Sequence, residues 1–208
     1  MLENIKIVKP SEIEKKSMEM ITKELGERKF PEYEEPVVKR CIHTSADFDY
    51  ANNLIFSENA ARHAIQAIRD GASIVTDTRM AASGINKKRL AQFGGQVYCF
   101  MDHEDVAREA KERGCTRAVI CMERGAKMEG PVIFAIGNAP TALIHLYELI
   151  QDGKVAPVLV IGVPVGFVNV IESKELFLKS EIPHIIAKGR KGGSTIAAAI
   201  CNALIYQA

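Results

Sequence analysis

The sequence predicts an α/β protein: a doubly wound, mainly parallel sheet with helices on both faces, in a single domain spanning 1–208. Three observations carry that expectation. Short runs rich in Val and Ile alternate with amphipathic stretches of ten or more residues. The joints between them carry Gly, Pro or small polar residues. A length of 208 residues, with 47% hydrophobic and 25% charged side chains, suits one globular core and leaves little chain for a second. Strands separated by helices of that length are joined by right-handed crossovers, which place parallel strands side by side beneath helices.

The first element is a helix over about 10–27, with Ser11 and Glu14 at capping-box spacing and Gly26 as its stop. Its apolar stripe is Ile13, Met20, Ile21 and Leu25; at 100° per residue Ser17 lies about 40° from Ile13, so one hydroxyl points toward whatever the helix packs on. Phe30–Pro36, FPEYEEP, reads as a stiff acidic spacer. Strands are expected within the runs at 37–43, 73–77, 96–100, 117–122, 131–137, 158–162 and 184–188. Helices fit between them, notably Ser57–Asp70, Asp102–Arg113, Pro140–Gln151 and Ser194–Tyr206.

Charge and composition narrow the function. Lys and Arg number 27 against 26 Asp and Glu, a net charge of +1, so no global field draws nucleic acid or an anionic membrane. The longest apolar tract, Val155–Ile171, is broken by Pro157, Gly162, Pro164, Gly166 and Asn169, which describes a strand and a loop rather than a membrane helix. The opening MLENIKIVKPSEIEKK lacks the continuous apolar core of a secretory signal. Five cysteines without paired spacing fit reduced thiols in a cytoplasmic protein. No G-x-G-x-x-G, G-x-x-x-x-G-K-[ST] or G-x-S-x-G is present, so the usual dinucleotide, phosphate-loop and hydrolase fingerprints are missing.

In open parallel sheets ligands bind at the carboxyl ends of the strands. That filter separates the histidines. His63 and His103 are expected on the surface, His145 beside an apolar helix stripe, and His184 at the start of a strand. His43 alone closes an expected strand, ahead of the small polar loop Thr44-Ser45-Ala46-Asp47. Cys41 and His43 make at most a weak metal pair, with no second cluster to complete it. Lys188-Gly189-Arg190-Lys191-Gly192-Gly193-Ser194 runs into the last helix and reads either as an anion cradle or as a solvated basic loop. Gly137–Thr141 is a good helix start, and Asp77 either a helix cap or a site carboxylate. The apolar loop Gly162–Phe167 suits a flat hydrophobic ligand or a subunit contact.

Five blocks taken together, RCIHTSADFDY (40–50), DTRMAASGI (77–85), GNAPTAL (137–143), GVPVGFVNVIESKE (162–175) and GRKGGSTIAAAICNAL (189–204), resemble the precorrin-8X methylmutase family, also called cobalt-precorrin-8 methylmutases. The resemblance implies an isomerase of cobalamin biosynthesis that moves a methyl group from carbon 11 to carbon 12 of a corrin ring, giving hydrogenobyrinic acid or its cobalt counterpart, cobyrinic acid. It implies a homodimer with the corrinoid at the subunit interface, His43 as the catalytic acid and base, and Ser17 and Arg40 as substrate contacts. It implies no cofactor and no protein-bound metal. Ala46 stands where relatives often carry Gly, and Thr78 and Ser83 replace apolar residues. A flat ligand fringed with carboxylates needs cations at its rim, which makes Lys188, Arg190 and Lys191 further candidate contacts. Two rival readings fit the same residues: a non-catalytic tetrapyrrole carrier that hands its cargo to the next pathway enzyme, and a phosphometabolite enzyme using the Gly192-Gly193-Ser194 turn.

Overall fold

A computed structural model describes residues 8–208. The expectation that the chain lacks a secretory signal rests partly on residues 1–7, which lie outside the described residues. Along the chain the elements are α1 (Pro10–Leu25), α2 (Glu35–Ser45), α3 (Tyr50–Asn53), β1 (Leu54–Phe56), α4 (Ala60–Arg69), β2 (Ser73–Thr76), α5 (Arg79–Gly84), α6 (Lys87–Ala91) and β3 (Val97–Tyr98). They continue with α7 (Glu104–Arg113), α8 (Arg117–Ala126), β4 (Val132–Ile136), α9 (Pro140–Gln151), β5 (Leu159–Gly162), α10 (Val170–Leu178), β6 (His184–Ala187) and α11 (Ser194–Gln207). The strands form one six-stranded sheet in the order β1-β6-β5-β4-β2-β3. Every pairing is parallel except β1 with β6, where Leu54 faces Ala187 and Phe56 faces Ile185.

The two-residue period of an extended chain sends alternate side chains to opposite faces. On β4, Ile133 and Ala135 join the core beneath α2, α4 and α11, while Val132, Phe134 and Ile136 join the core beneath α8, α9 and α10. On β6, Ile185 and Ala187 take the first side and Ile186 the second. The two central strands, β4 and β5, therefore carry no polar side chain because both faces are covered, as expected of a doubly wound sheet.

Two expected strands are helices. Residues 37–43 lie in α2, where Val37, Val38, Cys41 and Ile42 are buried. Those positions recur at helical spacing, and Pro36 sits in the first turn, where its missing N–H costs nothing. The β preference of two valines is overridden by packing along that stripe. Residues 117–122 lie in α8; Ala118, Ile120, Cys121 and Met122 are buried there, and a Cβ on Gly125 would come within 2.7 Å of the Phe134 ring. Conversely β1 was not expected, being only three residues long. Only Val97–Tyr98 of the run at 96–100 pairs into the sheet.

Smaller differences have local causes. α1 starts at Pro10 behind Lys9, and no side chain caps it, so the Ser11–Glu14 capping box does not form. Gly26, at φ 64°, does end that helix. The acidic segment at 30–36 is not a spacer throughout, since Glu35 and Pro36 already belong to α2.

Asp77 answers the choice between cap and site carboxylate. It is 1% exposed at the end of β2, and its two oxygens accept from the backbone N–H groups of Gly137, Asn138 and Ala139 at 2.8, 2.8 and 2.7 Å. The carboxylate thus satisfies the amides leading into α9, two strands' connection away in sequence, and places negative charge at a helix N-terminus. Burial nevertheless pushes its carboxyl above the ordinary value, against the pull of those donors. The cap of the local helix α5 is Thr78, whose hydroxyl accepts from Ala81 N–H at 3.1 Å.

Asp77→Ala leaves three buried or part-buried N–H groups without their acceptor, and losing such a partner costs about 1–3 kcal/mol. Thermal denaturation of the variant is expected to fall by several degrees, at roughly 2–4 °C per kcal/mol for a chain of this size. An unchanged melting temperature would show that the clasp contributes nothing.

Candidate active site

His43 occupies the last turn of α2, not the end of a strand. It still reaches the carboxyl edge of the sheet. α2 stops at Ala46, in the left-handed conformation at φ 54°, with its N–H donating to Ile42 at 2.7 Å. The following segment enters β1, which runs against β6, so it must arrive where β6 ends; Lys188 N–H donates to Asn53 C=O at 2.7 Å there. The imidazole is exposed and has no side-chain hydrogen bond or ion pair among the described residues.

α1 lies against α2 and brings Ser17 to the same place. The residue is half-buried, and its hydroxyl donates to Ile13 C=O at 2.9 Å. Ser17 and His43 line one cavity of about 280 Å³, walled by Met20, Ile21, Ile42 and Phe48. Ser17 and Met20 continue into an apolar groove of about 490 Å³ that reaches Val8 and Ile13. On its other side His43 borders a cavity of about 290 Å³ with Arg40, Thr44, Met80, Thr195 and Asn202. The imidazole therefore stands on a ridge between two hollows. A roomier cavity, about 720 Å³, lies around Ser73, Tyr98 and Glu123 near the amino end of β2 and contains none of the residues singled out in the sequence.

Arg40 is held from two sides, its guanidinium 2.7 Å from Glu14 and 5.4 Å above the Tyr206 ring. The three cations after β6 differ from one another. Lys191 bridges Asp47 and Asp49, both at 2.6 Å. That contact holds the Asp47 carboxyl below the ordinary value and the Lys191 ammonium above its own. Arg190 lies 5.5 Å over the exposed Phe167 ring, and Lys188 is exposed; neither has a carboxylate within 4.0 Å among the described residues. The glycines are not all free donors for an anion: Gly193 N–H donates to Val163 C=O at 2.8 Å, and a Cβ on Gly192 would fall 2.1 Å from that carbonyl oxygen. The turn is built to meet the 163–168 loop closely, which only glycine allows.

Sequence reasoning missed Lys174. This α10 residue is 1% exposed, and its ammonium donates to Gly189 C=O at 2.7 Å and Lys191 C=O at 2.9 Å. Burial lowers its pKa to about 8. In the block ESKE it reads as one more surface charge; the only signal was that Phe177, three residues on, is apolar on the same helix face.

The other histidines fall outside this region. His145 sits between Glu123 and Glu148 at 3.0 and 2.8 Å, His184 is buried with Nδ1 2.8 Å from Ile182 C=O, and His63 and His103 are exposed. Cys41 is buried while His43 is exposed, so the two do not converge on a metal, and no group of three or more potential ligands occurs among the described residues. No described helix is long and apolar enough to cross a membrane. Chemically the region offers an imidazole free of polar partners among the described residues, apolar walls and the Arg40 guanidinium, with the loop after β6 tied nearby through Lys191 to Asp47 and Asp49.

Comparison with known proteins gives one consistent result. A family model described as precorrin-8X methylmutase matches residues 12–207. The chain is 47% identical to a cobalt-precorrin-8 methylmutase of Priestia megaterium, over 95% of this chain and 88% of that one. It is 44% identical to the Salmonella typhimurium protein of the same name, over 96% of both. A crystal structure of a precorrin-8X methylmutase from Thermus thermophilus superposes with a TM-score of 0.85 at 39% identity, covering 94% of this chain and 96% of that one.

The position of Lys174 has a consequence for stability. Its folded pKa, about 8, lies below the ordinary value of 10.5, so between these values the unfolded chain binds more protons and stability rises with pH. Relative to Lys174→Met, the unfolding free energy should climb between about pH 8 and pH 10.5, by up to about 3.4 kcal/mol at about 1.4 kcal/mol per pH unit. Parallel pH profiles for the two proteins would mean that the ammonium is solvated.

Proposed function

We propose that this chain, which belongs to the precorrin-8X methylmutase family, rearranges its tetrapyrrole by moving a methyl group from carbon 11 to carbon 12, with His43 supplying and recovering the proton. The activity is that of a methylmutase, an isomerase of cobalamin biosynthesis. Support for His43 comes from one observation above the others: an exposed imidazole, held by no neighbour, on the ridge between the cavity it shares with Ser17 and the one it shares with Arg40.

The chemistry needs one acid. Protonating the conjugated ring makes it electron-poor; the methyl group then leaves carbon 11 with its bonding pair and bonds to carbon 12, and loss of a proton restores the neutral π system. One C–C bond breaks, one forms, and nothing is oxidised or reduced. Imidazole is suited to both proton transfers near neutral pH, and general acid–base catalysis contributes roughly 10²–10⁴-fold. Any cobalt belongs to the substrate. The product is hydrogenobyrinic acid, or cobyrinic acid when cobalt is present.

The remaining roles follow from charge and shape. Ser17 and Arg40 contact the substrate beside His43, Lys188 and Arg190 meet peripheral carboxylates, and Lys191 acts through the loop it fixes. Met20, Met80, Val165 and Phe167 are exposed by 71, 65, 48 and 82%, an apolar surround that supports a homodimer with the ligand between two copies. Direct hand-over to the next pathway enzyme is consistent with so open a site.

His43→Ala is expected to lose at least about 10²-fold in kcat while binding the corrinoid, because binding is spread over many contacts and proton transfer over one. Spectral titration and turnover with excess precursor measure the two separately. Normal turnover would remove His43 from the mechanism, and a single stoichiometric spectral change without turnover in the wild type would identify a carrier. The double variant Lys188→Ala/Arg190→Ala should bind more weakly and with a shallower dependence on salt; affinity unchanged across ionic strength would discard the rim contacts.

A further inference from the structure

Lys174 has no carboxylate partner among the described residues, although it is 1% exposed. Removing an ammonium from water costs several kcal/mol, and an apolar side chain of similar length would fill the space without that penalty. Stability alone is therefore a poor reason for a cation here. What the ammonium holds is specific: the carbonyls of Gly189 and Lys191, on either side of Arg190, at 2.7 and 2.9 Å.

The neighbouring contacts extend that grip. Arg190 C=O itself accepts from Gly166 N–H at 3.3 Å, and Gly193 N–H donates to Val163 C=O at 2.8 Å, so the loop after β6 is fastened to the apolar loop after β5. In the other direction Lys191 reaches Asp47 and Asp49. Those two residues flank Phe48, a wall of the cavity that contains His43 and Ser17. One buried ammonium thus fixes the backbone from which Arg190 projects and, through Lys191, the segment beside the imidazole.

We propose that Lys174 is a positioning residue for the methylmutase substrate: it preorganises the 188–193 loop so that Lys188 and Arg190 face the ligand's carboxylates before the ligand arrives. The inference rests on the reading of those two cations as substrate contacts. Ordering the loop in the free protein removes an ordering cost from binding, and its loss should fall on affinity and leave the chemical step alone.

Steady-state kinetics of Lys174→Met with cobalt-precorrin-8 are expected to show KM raised about tenfold and kcat within about threefold of wild type. In a double-mutant cycle, Arg190→Ala should cost much less in the Lys174→Met background than in the wild type, because a misplaced guanidinium has little left to lose. An unchanged KM, a fall confined to kcat, or full additivity would each overturn the proposal. Hydrogen exchange of the wild-type protein supplies a second test if the variant does not fold: the amides of Gly166 and Gly193 should already exchange slowly without ligand. Rapid exchange that slows only on corrinoid binding would show that the loop is not set in advance. Failure of the methylmutase reading is separable, since it appears as absent turnover in the wild type whatever the exchange rates.

Discussion

The direction of one short strand governs the arrangement of the site. β1 runs against β6, whereas the other pairings are parallel, so the chain that precedes β1 has to arrive at the carboxyl edge. A parallel β1 would begin at the opposite edge and take the end of α2 with it. Because α2 packs along α11, and α1 along α2, this reversal determines that His43, Arg40 and Ser17 look out beside the loops that follow β5 and β6. The chemistry proposed for the chain thus depends on a topological feature made by three residue pairs.

Around that edge, three ionic groups act as fasteners in different environments. Asp77 is buried and gathers the backbone amides ahead of α9, joining the ends of β2 and β4. Lys174 is buried and gathers carbonyls. Lys191 is half-exposed and ties the same loop to the segment after α2 through two carboxylates. The buried pair exchange water for backbone partners, which gives them little sensitivity to salt, while the exposed bridge is screened and worth less on its own. Backbone groups of two separate connections, after β4 and after β6, are thereby fixed without joining the sheet.

The sequence revealed the central sheet and the large helices because β4 and β5 are buried on both faces and read as continuous apolar runs, with Ile74-Val75 in β2 and Ile185-Ile186 in β6 as shorter apolar cores. It misassigned 37–43 and 117–122 for the same reason in reverse: a helix buried along a broad stripe also reads as an apolar run, and Val37-Val38 adds β propensity. The spacing 37, 38, 41, 42 was the available correction. His43 was placed at the right edge through the wrong element, since a reversed three-residue strand leaves almost no trace in composition. Asp77 and Lys174 were beyond local reading. Their partners lie 60 to 62 and 15 to 17 residues away, and a carboxylate or ammonium that binds backbone carries no pattern in its own neighbourhood.

The sheet's outer strands impose a limit on self-association. β1 has three residues and β3 two, so each margin offers hardly any unpaired backbone to an incoming strand. Lateral growth of the sheet from one molecule into the next is thereby discouraged, which protects against fibrous aggregation. Contacts between copies of the chain are therefore left to helices and connecting segments, not to the margins of the sheet.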